Sequence, residues 1–151
     1  MGSHAVKDLK WHQRFLELAA HVAQWSKDPS TKVGAVIVRP DRTIASVGYN
    51  GFPRGVEDTY TTREDKLMRT VHAEANAILS AREPLHGYTL YVTPLHPCAN
   101  CAALIIQSGI KYVHYIVEDR GHAWADHQKV MQSMFYQSGI VDWAHVKRGE
   151  E

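Results

Sequence analysis

The sequence predicts an α/β fold in which a mixed sheet carries helices on both faces. Apolar residues recur at helical spacing, first along a stripe that includes Phe15, Leu18 and Val22. Short β-branched runs, of which residues 32–39 (KVGAVIVR) are the clearest, have the length and composition of strands. The two kinds of segment follow one another in the order α-β-β-α-β-α-β-α-β, and strands that alternate with helices in this way pack them on both sides of one sheet.

Each element is bounded by residues that break helices or form turns. The predicted helices cover residues 11–27, 71–82, 98–108 and 126–137, and the predicted strands cover residues 32–39, 43–49, 88–93, 111–117 and 140–143. Residues 28–30 (DPS) end the first helix, residues 40–42 (PDR) form the turn of the first hairpin, and Gly109 ends the third helix. The charged stretch 57–69 is a connection to which we assign no structure.

Length and composition indicate one domain and restrict its partners. The chain has 151 residues, of which 44% are hydrophobic, and this is sufficient for a single core. We interpret residues 1–5 as an expression-tag remnant, residues 6–147 as the single domain and residues 148–151 as a charged tail. The formal net charge of +1 argues against polymeric nucleic acid as a partner. The chain contains no run of about 18 apolar residues, so we expect no membrane span.

The two cysteines of the chain, Cys98 and Cys101, stand three positions apart at the start of a predicted helix. Thiols stay reduced in the cytoplasm, where we expect this protein, and a pair at this spacing there is typical of a metal or redox site. Because positions i and i+3 share one helix face, both sulfurs can reach one ion. The helix N-terminus favours their thiolate forms.

His72 is the candidate for a third metal ligand. It stands at the start of another predicted helix, so the N-termini of two helices can converge on one ion. One imidazole and two thiolates suit a tetrahedral zinc ion, and three protein ligands leave a fourth position for water, as in catalytic zinc sites. Zinc lowers the pKa of such a water to about 7. Glu74 can take a proton from this water, pass it to a ring nitrogen and then protonate the departing ammonia. The pattern His-x-Glu followed by Pro-Cys-x-x-Cys is typical of zinc-dependent nucleobase deaminases.

Two other interpretations of the cysteine pair stay open. A redox site would use Cys98 and Cys101 near the first strand of a βαβ unit, and it would need neither His72 nor Glu74. A structural zinc site would need a fourth protein ligand, for which His96 is the candidate. The direction of the chain makes it difficult for His96 to reach the same ion as Cys98.

Six segments between about Trp11 and Trp143 form a wider sequence pattern, and two of them contain the metal motifs. They are SKDPSTKVGA at 26–35, GYNGFPRG at 48–55, VHAEANAI at 71–78, TLYVT at 89–93, PCANC at 97–101 and IIQSGI at 105–110. With them the chain resembles the deoxycytidylate deaminases of the cytidine deaminase superfamily. The resemblance implies a three-layer α-β-α cytidine deaminase-like fold with a central mixed five-stranded sheet, and one CMP/dCMP-type deaminase domain over residues 6–147. Because the chain has no cysteine beyond the pair, we expect one zinc ion per chain.

The resemblance also implies contacts with the substrate. Asn50 would hold the 3′-hydroxyl of the sugar, and the backbone N–H of Ala73 would bind the carbonyl of the base. Ser26 and Lys27 would approach the 5′-phosphate. Simpler roles stay open for two of these residues, since Lys27 can be a solvated cation at a helix end and Asn50 a turn residue.

Tyr115 and Trp124 are candidates to cover the base, although a core position suits either aromatic side chain equally. Residues 117–124 (VEDRGHAW) depart from the family pattern, and this region helps to set the shape of the pocket. The exact nucleotide is therefore open, and so is allosteric control by nucleotides.

Together these observations predict zinc-dependent hydrolytic deamination of deoxycytidylate (dCMP) to deoxyuridylate (dUMP) with release of ammonia. The alternatives are a deaminase of another free nucleotide or base, such as a modified cytosine, dCTP or a purine, and a non-catalytic zinc-stabilised module. The last would need neither Glu74 nor an open fourth position on the metal. We expect a small-molecule nucleotide as the substrate, and a homo-oligomer, with a hexamer as the form that the resemblance suggests.

Overall fold

The computed structural model describes residues 8–117 and 121–146. The helices are α1 (Leu9–Ala23), α2 (Arg63–Arg69), α3 (Ala73–Ser80), α4 (Ala99–Ser108) and α5 (His122–Ser138). The strands are β1 (Gly34–Val38), β2 (Ile44–Tyr49), β3 (Thr89–Thr93), β4 (Tyr112–Val117) and β5 (Val141–Val146). They form one five-stranded sheet in the order β2-β1-β3-β4-β5. Strand β1 is antiparallel to β2 and β3, whereas β3, β4 and β5 are parallel, so the predicted mixed sheet is confirmed.

Helices cover both faces of this sheet, and neighbouring residues of β1 show how the layers pack. Val36 belongs to a core cluster with Phe15 and Leu16 of α1. Ala35 and Ile37 point to the opposite face, because side chains alternate along a strand, and they join a larger cluster with residues of α3, α4 and α5. The predicted three-layer α-β-α arrangement is therefore confirmed. None of the described helices is both long enough and apolar enough to cross a membrane.

Helix α2 lies in the charged stretch to which the sequence analysis assigned no structure. The hydroxyl of Thr62 caps it by accepting a hydrogen bond of 3.0 Å from the backbone N–H of Asp65. Glu64 and Asp65 add negative charge to its first turn, which the helix dipole favours. With only seven residues, the helix is too short to show an apolar stripe of useful length.

Other boundaries also differ from the predicted ones. Helix α1 ends at Ala23, so Ser26 and Lys27 lie in the loop that follows it. Helix α5 begins at His122 and not at residue 126. Its N-cap residue is Gly121, which has no side chain to serve as a cap, so the sequence lacks the usual start signal. Strand β5 continues to Val146 in register with β4. Within the segment 117–124, residues 118–120 lie outside the described residues.

Gly48 allows α3 to lie directly against β2. A Cβ atom at this position would be 2.5 Å from the carbonyl oxygen of Ala73 and would also overlap the backbone of Ala77. Side chains do not tolerate such separations, so only glycine permits this approach. The contact fixes the first turn of α3 relative to the sheet, and this turn carries Glu74.

Candidate active site

Three metal-ligand side chains converge where the N-termini of α3 and α4 lie together. His72 is the N-cap residue of α3, Cys98 is the N-cap residue of α4, and Cys101 is in the first turn of α4. Nδ1 of His72 lies 3.5 Å from Sγ of Cys98 and 3.3 Å from Sγ of Cys101. All the candidate ligand atoms of the three residues lie within 4.8 Å of one another. The structure therefore brings together the three residues that the sequence analysis predicted as ligands.

The spacing of these atoms fits a zinc ion. With Zn–N of about 2.0–2.1 Å and Zn–S of about 2.3 Å, a tetrahedral ion places nitrogen and sulfur ligands about 3.6 Å apart. The two separations from His72, at 3.5 and 3.3 Å, are close to that value. Within residues 8–117 and 121–146, His72, Cys98 and Cys101 form the only group of three or more His, Cys, Asp or Glu side chains placed to share one ion. His96 is not part of it, and its Nδ1 instead lies 2.7 Å from the carbonyl oxygen of Pro97.

The two thiols of the cluster affect each other's ionisation: the hydrogen bond between them lowers the pKa of Cys98 and, together with burial, raises the pKa of Cys101. A hydrogen bond from the side chain of Cys101 lowers the pKa of Cys98, burial opposes this shift, and a hydrogen bond from His72 lowers the pKa further. The backbone N–H of Cys101 also donates to Sγ of Cys98 over 3.4 Å. Cys98 is consequently held as a thiolate, which is the form that binds metals.

Glu74 is the carboxylate beside this cluster. Its residue is only 4% exposed, and burial raises the pKa of its side chain to about 7, against the charge of His72. A carboxyl group with a pKa near neutrality can both accept and release a proton under physiological conditions, which suits general acid–base chemistry. This property fits the role that the sequence analysis predicted for Glu74.

The cluster opens into a cavity of about 470 Å³, which is the size range of small-molecule sites. Its walls are Asp28, Ser30, Thr31, Val33, Asn50, Arg63, Lys66, Leu67, Thr70, His72, Ala73, Glu74, Leu95, Cys98 and Trp124. Helix α2 contributes Arg63, Lys66 and Leu67 to this wall. His72, Cys98 and Glu74 therefore face a space large enough for a nucleotide.

Two of the predicted substrate contacts, Asn50 and Ala73, line this cavity. Asn50 is buried, and its side-chain amide bonds to two residues of the loop between α1 and β1. Its Oδ1 accepts from the N–H of Val33 at 2.9 Å, and its Nδ2 donates to the carbonyl of Thr31 at 2.9 Å. Asn50 therefore holds the cavity wall in place whether or not it also contacts a sugar.

Three other predicted contacts do not line the cavity. Ser26 is buried, and its hydroxyl donates to the carbonyl of Asn50 at 2.8 Å. The side chain of Lys27 is 84% exposed and pairs with Asp58 at 3.3 Å. The ring of Tyr115 is in the core, where its hydroxyl donates to Asp142 at 2.8 Å. For Lys27 and Tyr115 the simpler alternatives, a solvated cation and a core aromatic residue, agree with the structure.

The structure adds residues that the sequence analysis did not propose as substrate contacts. Among the described residues that line the cavity, Arg63 and Lys66 of α2 are the basic ones, and Asp28 is the acidic partner of Lys66. The position of these side chains depends on contacts between residues far apart in the chain, so no local sequence pattern predicts it. Trp124, which the sequence analysis did name as a candidate to cover the base, lines the cavity and stacks on the ring of His96 with centroids 4.6 Å apart.

This fold and this site define the class of zinc-binding nucleotide deaminases. The chain belongs to the family described as the cytidine and deoxycytidylate deaminase zinc-binding region, whose model matches residues 9–117. An Aliivibrio fischeri protein named "Uncharacterized deaminase in luxG 3'region" is 50% identical over 139 residues, which cover 89% of this chain and 93% of that protein. The human protein named "Deoxycytidylate deaminase" is 38% identical over 142 residues, covering 88% of this chain and 78% of its own length.

A solved structure is similar over nearly the whole chain. The dCMP deaminase of cyanophage S-TIM5, crystallised in complex with dCMP and dUMP, matches with a TM-score of 0.75 and 28% identity. The match covers 94% of this chain and 100% of that chain. The similarity therefore includes the sheet, the helices on both of its faces and the elements that carry the site.

Proposed function

We propose that this protein hydrolyses dCMP to dUMP and ammonia, with one zinc ion per chain held by His72, Cys98 and Cys101. The observation that carries the proposal is the buried carboxyl of Glu74 beside a three-ligand cluster, with Glu74, His72 and Cys98 lining a cavity of about 470 Å³. The names of the human and cyanophage relatives support cytosine nucleotides as the substrate class.

The chemistry at the base uses few side chains. Zinc, when bound by the three ligands, supplies Lewis-acid activation of the attacking water. Glu74 accepts a proton of this water and delivers it to the ring nitrogen N3 of cytosine. It then takes the remaining proton from the hydroxyl added at C4 and transfers it to the departing amine. Water adds its oxygen to C4, the C4–N4 bond breaks, and ammonia leaves. The burial of Glu74 suits these proton transfers, because bulk water then does not compete for the same protons.

The cavity wall offers partners for the base and sugar. The backbone N–H of Ala73, in the first turn of α3, is the proposed donor to the base carbonyl, since the first N–H groups of a helix have no partner within it. Asn50 is the proposed contact for the 3′-hydroxyl. Trp124 lines the same cavity and is the aromatic side chain positioned to pack on the base.

For the 5′-phosphate the structure favours Arg63 and Lys66 over Lys27, because the first two line the cavity and Lys27 does not. Lys66 is already neutralised by Asp28, so the exposed guanidinium of Arg63 is the principal candidate. Guanidinium groups bind phosphate oxygens with two parallel hydrogen bonds, which gives both affinity and orientation.

Several further expectations belong to this proposal. We propose a small free nucleotide, and not a nucleic acid polymer, as the substrate, a cytoplasmic location, and a homo-oligomer with a hexamer as the candidate form. Residues 6–147 would make up the single deaminase domain. The exposed apolar side chains Leu79 of α3 and Leu104 of α4, 74% and 49% exposed, are available for subunit contacts.

The test of this function is ammonia release by the zinc-loaded protein against a panel of compounds. The panel holds dCMP, deoxycytidine, dCTP, 5-methyl-dCMP and AMP, and the zinc content is measured in parallel. We expect dCMP to give the highest kcat/KM. Preference for dCTP, a modified cytosine or a purine would replace dCMP while keeping the deaminase class. Bound zinc without turnover of any compound would favour a non-catalytic module.

A further inference from the structure

The N-terminal part of α5 contacts the segment that carries Cys98 on both sides of that ligand. Trp124 stacks on His96, two residues before Cys98, with ring centroids 4.6 Å apart and 23° between the planes. His127 accepts, at Nδ1, a hydrogen bond of 3.0 Å from the backbone N–H of Ala99, the residue after Cys98. Because positions i and i+3 share one helix face, Trp124 and His127 contact the same short stretch.

The hydrogen bond to His127 satisfies a donor that α4 itself cannot satisfy. The first N–H groups of a helix lack intrahelical acceptors, and Ala99 is the first residue of α4. Within the same turn, Sγ of Cys98 accepts from the N–H of Cys101 at 3.4 Å. Two N–H groups in the first turn of α4 thus have acceptors: that of Cys101 donates to Cys98 in the same turn, and that of Ala99 donates to His127 of α5.

We propose that His127 is a positioning residue for the metal cluster, which keeps Cys98 and Cys101 in binding geometry by anchoring the N-terminus of α4. Neither His127 nor Trp124 belongs to the His-x-Glu or Cys-x-x-Cys motif. The ring of His127 accepts at Nδ1, so the Nε2 atom carries the proton in this arrangement. The inference rests on the proposed function only in taking zinc as the metal.

This role differs from simple packing in what the side chain must provide. Packing requires apolar volume, whereas positioning requires a hydrogen-bond acceptor close to the N–H of Ala99. An asparagine at position 127 offers an amide oxygen about where Nδ1 of histidine lies, and a leucine offers similar bulk without an acceptor. The pair His127→Asn and His127→Leu therefore separates the two roles.

The experiment measures zinc, not turnover, on the full-length zinc-loaded protein. Each variant is mixed with a chelator, and a colorimetric indicator gives the apparent zinc affinity. We expect His127→Leu to bind zinc about tenfold more weakly, because outer groups that orient metal ligands typically contribute 10- to 100-fold to affinity. His127→Asn should remain close to the original protein. If His127→Leu does not fold, His127→Ala replaces it in the same comparison.

Gln132→Leu is the matched control, because it removes another side-chain hydrogen bond of α5, from Nε2 of Gln132 to the hydroxyl of Tyr115 at 3.3 Å. It should leave zinc affinity unchanged. Equal affinity of the original protein and His127→Leu would overturn the proposal, as would equal losses in the Leu and Asn variants or in Gln132→Leu. The measurement needs no nucleotide, so a failure to deaminate dCMP would count against the proposed function alone.

Discussion

Lys66 of α2 and Asp28 of the loop after α1 form a buried ion pair in the cavity wall. Nζ of Lys66 lies 2.8 Å from Oδ1 of Asp28, and the two side chains are only 6% and 9% exposed. Burial alone would raise the pKa of Asp28, but hydrogen bonds from Lys66 and from the backbone N–H groups of Ser30 and Thr31 lower it. The pair therefore joins α2 to the rest of the domain as two charged groups that depend on each other.

Replacing Asp28 by asparagine should destabilise the protein strongly. The amide oxygen can still accept from Ser30 and Thr31, so the change isolates the charge and leaves Lys66 buried without a counterion. Breaking a buried pair in this way typically costs about 3–5 kcal/mol in the free energy of unfolding. Urea unfolding measures it. Asp58→Asn is the control, because Asp58 pairs with Lys27 at the surface and should contribute little. Equal losses in both variants would contradict the prediction.

Gly48→Ala should lower both stability and zinc binding. Its Cβ would be 2.5 Å from the carbonyl oxygen of Ala73, so α3 must shift away from β2. Overpacking of this kind costs about 1–3 kcal/mol, and the shift moves the first turn of α3 with His72. Gly51→Ala is the control, since a Cβ there meets no atom within 4 Å. Thermal unfolding and metal analysis of both variants provide the measurement, and similar values for the two would show that the close approach is dispensable.

Glu74→Gln should separate catalysis from metal binding. Glutamine has nearly the same shape but cannot transfer protons, so kcat should fall about 100- to 10,000-fold while zinc content stays near one per chain. Cys98→Ala should instead lose zinc, because it removes a ligand. Steady-state assays with dCMP and metal analysis of both variants check this. Substantial turnover by Glu74→Gln would assign the proton transfer to another group.

Much of the fold and the metal cluster was predictable because their signals are local. The ligands and Glu74 stand within a few residues of two helix starts, so a motif read along the chain finds them. The placement of Arg63 and Lys66 in the cavity wall was not predictable. Lys66 contacts Asp28 across 38 positions of sequence, and α2 is too short to show an apolar stripe. The same holds for His127, whose contact with Ala99 joins two different helices. Such contacts depend on tertiary packing, which leaves no pattern in a single segment.

Acid should weaken the packing of α1 through a group of histidines on its face of the sheet. His12 of α1 stacks on His114 with centroids 4.1 Å apart, and Nδ1 of His114 lies 2.9 Å from Nε2 of His145. Burial lowers the pKa of His12, the charges of His145 and Arg42 lower it further, and Asp8 opposes them. Burial also lowers the pKa of His145.

Because the folded-state pKa values lie below the unfolded value of about 6.5, this stability is fully present above that pH and is lost as pH falls through the folded values. Glu74, whose raised pKa acts in the opposite direction, is present in both the original protein and His12→Gln, so the histidine contribution is the difference between them. Relative to His12→Gln, the original protein should lose free energy of unfolding between pH 7 and pH 5. His86→Gln, which removes an exposed histidine outside this group, is the matched control. Parallel pH profiles for the original protein and His12→Gln would contradict this account.

Selection of a nucleotide over a nucleoside should depend on Arg63. A charge-assisted contact with the 5′-phosphate contributes about 1.5–3 kcal/mol, which corresponds to about 10- to 100-fold in kcat/KM. Arg63→Ala should therefore reduce kcat/KM for dCMP by about that factor and leave deoxycytidine almost unchanged, because the nucleoside has no phosphate. Lys27→Ala is the matched control, since Lys27 is also a cationic side chain but is 84% exposed and outside the cavity wall. A loss with Lys27→Ala and none with Arg63→Ala would return the phosphate contact to the loop after α1.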